Sequence, residues 1–335
     1  MDRNLYLFGA FLLAVILFAC RDIDKSASDA DKAILQQGPF KALSERIRSF
    51  PTDALLYLQR AEMLSQQGMH ELAQSDYKKA WELEPSETTA LQYGNSLFMT
   101  GKWKQAVDFF EKAGNQYPEN PIFKRRLGDA LVQSGQTEAA FKQYDDILRV
   151  DSTQFEAWYE KGMLAASLGD STQAASCLEK SFQLMPTQTS GLALANLYAE
   201  MKNPRSLDVA DQMIKMDTAQ EWVDPLFIKG IFYANTKNYS KAIEQFDACI
   251  KRDWKFNEAY LEKGLIFFEQ KNIDEALRIF KLATTVSNTY ADAYYWIGRC
   301  YETIGNKELA KDYFLKAYSL DPSFQEATER IKKLY

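Results

Sequence analysis

Residues 291–322 read ADAYYWIGRCYETIGNKELAKDYFLKAYSLDP, and their spacing predicts two short helices joined by a tight turn. Tyr294, Ile297, Gly298 and Tyr301 mark the first helix, Gly305 sits at the turn, and Ala310, Phe314 and Ala317 mark the second. Pro322 stops that second helix, because proline has no amide hydrogen to continue the ladder. The same spacing runs back through the chain to Ala54, with small residues at 61, 94, 128, 162, 195, 230, 264 and 298. Their intervals lie between 33 and 35 residues. A period of this length indicates a repeat architecture, in which no unit buries its apolar face alone and stacking makes the core.

Each period carries the same grammar. Repeat one, 54–87, has Tyr57, Ala61, Leu64, Gly68, Ala73, Tyr77, Ala80 and Pro85; repeat two has Tyr93, Gly94, Leu97, Gly101, Ala106, Phe110, Ala113 and Pro118. These residues resemble the tetratricopeptide repeat (TPR) family from residue 54 onward. The resemblance implies an all-α, right-handed superhelical solenoid of about eight TPR helix-turn-helix repeats over 54–324. Small residues at the eighth and twentieth positions let the two helices of a pair approach, and large apolar residues at positions 4, 11 and 24 fill the space between pairs. Glycine at the turn supplies the left-handed geometry that ends the first helix. Repeat three has Ser152 where proline is usual. Repeat five departs further: the turn is Lys202-Asn203-Pro204, the second helix lacks its aromatic, and 199–225 is irregular. Two readings stand, a drifted repeat that still packs or a bend dividing repeats one to four from six to eight.

The ends are different in kind. Phe40, Leu43, Ile47 and Phe50 have the spacing of one helical face within an N-terminal capping segment, 38–53. A C-terminal capping helix, 325–335, turns Ala327, Ile331 and Leu334 inward. Residues 1–20, MDRNLYLFGAFLLAVILFAC, have a basic start and an apolar run too short to span a bilayer comfortably. Leu17-Phe18-Ala19-Cys20 resembles a bacterial lipobox. That resemblance implies a signal peptide at 1–19, cleavage before Cys20, acylation of Cys20, and a lipid anchor in place of a transmembrane helix. Residues 20–37 have the polar composition of a flexible tether. Arg21, where some inner-membrane lipoproteins have aspartate, makes an outer-membrane destination the expectation, on its periplasmic or surface face.

Chemistry finds few carriers here. A net charge of −6 repels phosphates, so nucleic acid is disfavoured as a partner. His70, the one histidine, reads as an exposed turn residue with no nucleophile beside it. Cys177, Cys249 and Cys300 fall in different repeats and read as buried, reduced space-fillers. No phosphate loop or nucleophile elbow occurs, and carboxylate pairs such as Asp145-Asp146 read as solvated faces. No catalytic residue, metal, cofactor or small-molecule substrate is expected.

What remains is a binding surface. In the TPR family positions 2, 5, 9, 12 and 13 of the first helix line a concave groove. Carried onto this chain, they include Tyr159, Phe227, Ile231, Leu261, Leu265, Tyr295 and Arg299. The C-terminal half is markedly apolar there, so either repeats six to eight hold an apolar or aromatic partner segment, with Arg299 pairing an acidic group, or these side chains bury against neighbouring helices. The chaperone-type carboxylate clamp is absent: Asn95 and Asn196 suit it, but Leu91 and Leu192 stand where lysine is needed. The expectation is a lipid-anchored envelope scaffold that holds or assembles protein partners. The alternative is a regulator that activates a separate cell-wall enzyme by binding it.

Overall fold

A computed structural model of the chain describes residues 33–334. The leader, Cys20 and most of the tether lie outside the described residues, as does Tyr335. Among the described residues every regular element is a helix, and none is long and apolar enough to cross a membrane. Contacts divide the chain into two units after residue 164.

The first unit holds α1 (Phe40–Ser49), α2 (Ala54–Gln66), α3 (His70–Leu83), α4 (Glu87–Met99), α5 (Trp103–Gln116), α6 (Pro121–Gln133), α7 (Thr137–Val150) and most of α8 (Phe155–Ser167). Consecutive helices from α1 to α7 pack side by side as antiparallel neighbours, as short connections require. α1 docks on the first pair through a buried polar relay. Arg60 donates to both carboxylate oxygens of Asp76 at 2.7 and 2.8 Å and to Ser44 Oγ at 2.9 Å. Ser44 Oγ donates in turn to the Leu35 carbonyl at 2.6 Å. Residues 33–37, whose composition groups them with the polar tether, are therefore not free: Ile34 and Leu35 pack against Phe40, Ala61 and Leu64 because they are the apolar residues of that stretch.

The second unit holds the end of α8, then α9 (Ser171–Leu184), α10 (Gln188–Glu200), α11 (Arg205–Met216), α12 (Asp224–Asn235), α13 (Tyr239–Arg252), α14 (Asn257–Glu269), α15 (Ile273–Val286), α16 (Ala291–Ile304), α17 (Lys307–Leu320) and α18 (Gln325–Leu334). α18 lays Ala327, Ile331 and Leu334 against Tyr295, Phe314 and Ala317.

One contact recurs through both units. Gly94 faces Phe110 and Gly128 faces Tyr144; Gly230, Gly264 and Gly298 face Phe246, Phe280 and Phe314. A Cβ on any of these glycines would overlap the ring, so the helix pair closes only because that carbon is missing. The rings are fully buried. The turns recur as well: Gly68, Gly101, Gly135, Gly169 and Gly305 have φ between +68° and +91°. At the same repeat position, however, the structure has Lys202, Lys237 and Lys271, with φ of +54° to +61°. An asparagine follows each lysine. Asn238 and Asn272 accept a hydrogen bond from the third amide of the next helix, and Asn203 accepts from the Arg205 amide. Those caps hold the turn although a side chain strains it.

Repeat five still packs, with its sizes exchanged. Ser206 follows Ala195 by eleven positions where Ala242 follows Gly230 by twelve, and Ser206 Oγ donates to the Ala195 carbonyl at 2.9 Å where the two helices meet. Ala210 and Met213 are both fully buried, and Met213 Sδ lies over Gly191. Gly191 occupies the fourth position, where repeats one, seven and eight have tyrosine. The irregular residues after α11 are organised by Asp217, buried, which accepts from the amides of Glu221 at 3.1 Å and Trp222 at 2.8 Å and pairs with Arg252 at 3.6 Å. Arg252 also donates to the Trp222 carbonyl at 2.6 Å. Within this unit α10 lies directly against α12, joined by the Asn235 amide donating to the Ala199 carbonyl at 3.1 Å.

Two substitutions separate these roles. Lys271→Gly removes the strain of a left-handed lysine and is expected to stabilise the protein by about 0.5–1 kcal/mol in denaturant melts. Gly264→Ala gains helix propensity but drives a methyl into the Phe280 ring, for a net loss of about 1–2 kcal/mol in the same measurement.

Candidate functional site

The surface formed by the first helix of each pair is the candidate site, and it has a different character in each unit. In the second unit it is apolar. Leu261 and Leu265 of α14 are half-buried and rest on Ala276, Phe280, Ile297 and Cys300. Beside them Phe268 meets Trp296 edge to face at a centroid distance of 5.3 Å, and Trp296 stacks on Phe280 at 6.0 Å. The Arg299 guanidinium lies over both Phe268 and Trp296, at 5.7 and 5.4 Å from their ring centres. Its Nε is 3.0 Å from the Glu302 carboxylate, which lies 3.4 Å from Arg330. Arg299 is thus held in place by two rings and one acid on its own chain.

The structure separates the candidate residues. Leu261, Leu265 and Arg299 share one patch. Phe227 is half-buried on α12 and contacts Phe246 and Phe256 at 5.6 and 5.2 Å. Ile231 is only 3% exposed; it lies one turn before Asn235, on the side of α12 that meets α10. Tyr295 is 7% exposed, because Phe314 and Phe324 cover it at 5.5 and 4.9 Å. Those two side chains are core. Trp296, which completes the patch, stands at position 6, between positions 2 and 9 on the same helical face, and that geometry was available from the sequence.

In the first unit the corresponding surface is charged. Asp129 of α6 accepts from the Tyr144 hydroxyl at 2.9 Å and from Arg126 at 3.3 Å, and Arg125 pairs with Glu156 at 3.5 Å. Tyr159 of α8 is half-buried beside Glu160. Burial, and then the neighbouring Asp129 carboxylate, push the Glu160 carboxyl up to about 7, against the opposing pull of Arg125 and Arg126. Asp129 is also raised by burial. Arg126 and Glu160 occupy position 6 of their repeats, as Trp296 does.

Nothing in either patch forms a reactive constellation. Burial pushes the thiols of Cys249 and Cys300 up to about 12, which keeps them protonated and un-nucleophilic at neutral pH. Among the described residues no group of three His, Cys, Asp or Glu side chains is placed to hold a metal ion.

A raised Glu160 has a sign that can be measured. The folded state holds this proton more tightly than the unfolded chain, so its contribution to stability is present below the ordinary glutamate range and is lost as pH rises through about 7. Glu160→Gln is expected to remove this part of the pH dependence and to stabilise the protein at pH 8 by on the order of 1–2 kcal/mol. Denaturant melts of both proteins at pH 5 and pH 8 read the difference.

Comparison with known proteins agrees with this geometry. Three family models, each described as tetratricopeptide repeat, match this chain: one at residues 54–87, 155–188 and 291–324, a second at 97–168 and a third at 231–288. A curated relative, TPR repeat-containing protein MJ1428 of Methanocaldococcus jannaschii, is 19% identical over 309 residues, 86% of this chain and 53% of that protein. The chain therefore spans about half the length of that relative. Among solved structures, a tetratricopeptide repeat protein from Parabacteroides merdae superposes with a TM-score of 0.51 at 17% identity, covering 84% of this chain and 98% of that one. PilW, described as a widely conserved type IV pilus biogenesis factor, superposes with a TM-score of 0.51 at 16% identity over 63% of this chain and 98% of its own. At such identities these two likenesses concern the fold alone. With the family models matched over more than half its length, and the helix pairs that they describe present in both units, the chain belongs to the tetratricopeptide repeat family.

Proposed function

We propose that this protein is a non-catalytic scaffold of the bacterial cell envelope, anchored through lipidated Cys20, that holds or assembles other envelope proteins on the first-helix surface of its repeats. The observation that carries the binding role is the patch of Leu261, Leu265, Phe268 and Trp296, half-buried apolar side chains arranged around an arginine whose charge is already neutralised by Glu302. Such a surface offers area and ring faces to an apolar or aromatic segment and has no free charge to repel it. Arg299 then serves as part of the wall. Any acidic group of the partner competes with Glu302 for it, so we assign the main recognition to the apolar side chains.

The envelope location is supported by the run Leu17-Phe18-Ala19-Cys20 and by the polar residues after it. The outer membrane is the proposed destination, on the ground of Arg21. PilW, a TPR fold neighbour described as a pilus biogenesis factor, makes an accessory role in an envelope machine a natural version of this reading.

The experiment is site-specific photocrosslinking in cells from Leu261 and, in the first unit, Tyr159, with Leu282 on a second helix as control, exposed at 39%. Leu261 is expected to give one discrete envelope protein that Leu282 does not. The double variant Leu261→Glu, Leu265→Glu should lose that product with its circular dichroism unchanged. An identical pattern from Leu261 and Leu282, or capture undiminished in the double variant, would reject the reading. Metabolic labelling with a fatty acid tests the anchor: label is expected on the wild type and absent from Cys20→Ala.

A further inference from the structure

A polar cleft in the first unit lies apart from both patches. It has a volume of about 160 Å³ and is lined by Ser65 of α2, His70 and Tyr77 of α3, and Gln92, Asn95 and Met99 of α4. Its origin is visible one repeat further on. The positions of Ser65, His70 and Tyr77 correspond, 33 residues later, to Phe98, Trp103 and Phe110. There Phe98 meets Trp103 at 5.4 Å and Phe110 at 6.0 Å, and the three rings fill the space. In repeat one a serine and an imidazole stand where two large rings would be, which leaves a hole with both polar and apolar walls.

Two atoms in that lining lack what buried polar atoms ordinarily have. His70 Nδ1 and Gln92 Oε1 are both buried without a hydrogen-bond partner. An unpaired buried acceptor is costly, so such atoms in a native fold point to something that occupies the site. Their chemistry limits the occupant. The Gln92 amide nitrogen faces the Glu62 carboxylate at 3.4 Å, which leaves Oε1 as an acceptor awaiting a donor. No lysine or arginine lines the cleft, and the nearby Lys102 ammonium is occupied by Glu71 at 2.8 Å and by Gln74. The Glu62 charge reaches the cleft, since it adds to burial in raising the Tyr77 hydroxyl. The Gln92 acceptor, an imidazole nitrogen that accepts when the ring carries its proton on Nε2, a carboxylate at the edge and an aromatic wall suit a flat, cationic group rich in donors.

We propose that this cleft takes a guanidinium group, the arginine side chain of a partner protein. The planar fork donates to Gln92 Oε1 and His70 Nδ1, its charge faces Glu62, and its face lies against the Tyr77 ring. The site belongs to the first unit and stands whether or not the apolar patch of the second unit binds as described above, because a small molecule tests it alone.

The chain contains a single histidine, so one imidazole signal reports the site without ambiguity. The full-length protein, labelled at histidine, is titrated with Nα-acetyl-arginine methylamide and followed by NMR. A saturable shift of the His70 ring signal is expected, with a Kd in the millimolar range, on the order of 1–20 mM for so small a ligand. The citrulline counterpart, of the same shape without the charge, should bind at least about fivefold more weakly, and the aspartate counterpart should give no saturable shift. Ser65→Phe, which fills the hole as Phe98 does, should abolish the shift. Gln92→Met removes an acceptor without filling the cleft and should weaken binding by about fivefold or more; it carries the test if Ser65→Phe fails to fold. Absence of any saturable shift with the arginine compound means that the cleft holds only water and overturns the proposal. Equal binding of the citrulline compound, preference for the aspartate compound, or an undiminished shift in Gln92→Met overturns it too.

Discussion

A ring laid flat on a missing side chain is the constraint on which this architecture rests. Where Gly94, Gly128, Gly230, Gly264 or Gly298 meets its aromatic partner, the two helices of a pair come closer than any Cβ would permit. The ring is then sealed from water, and an aromatic side chain brings a large apolar area into the core. Everything else depends on that closure. The turn must reverse the chain within a few residues, which requires a left-handed residue, and the faces left outside the closed pair become the contacts to the next pair. A helix of this length has little stability of its own in water, so each pair is held by its neighbours as much as by its sequence.

The two surfaces differ because the same positions are filled differently. In the second unit the outward positions of the first helices carry Leu261, Leu265, Phe268 and Trp296, and Arg299 becomes part of an apolar wall by lying on two rings beside its own counter-ion. In the first unit they carry Arg125, Arg126, Asp129 and Glu160, where burial and the Asp129 charge outweigh the pull of the two arginines and the Glu160 carboxyl keeps its proton up to about 7. One backbone pattern thus supports an oily face and a charged one.

Much of this was legible in the chain. The small-then-large spacing is a local property, repeated along the sequence, and it located the helix pairs without reference to anything distant. The lysine turns were not legible, since Lys237 and Lys271 look like ordinary polar residues until the asparagine caps beside them are seen to hold the bend. Two groove candidates proved to be core for reasons of tertiary context. Tyr295 is covered by Phe324 from the far end of its own repeat, and Ile231 faces a helix that the departure at repeat five brings close. Trp296 is legible from helical geometry alone, which places it on the outward face. The polar cleft at His70 shows only when repeat one is compared with repeat two position by position, and its unpaired atoms need coordinates to be found.

Repeat five invites a mechanical view. Three of the pairs in the second half of the chain have a rigid ring at their centre, whereas here a thioether with three rotatable bonds spans the gap above Gly191. A thioether changes rotamer more readily than a ring does, so repeat five is the pair whose helix spacing is set by the most adaptable side chain. The adaptable pair is bordered by a fixed one: the loop that follows it is held by the Asp217 carboxylate through the amides of Glu221 and Trp222.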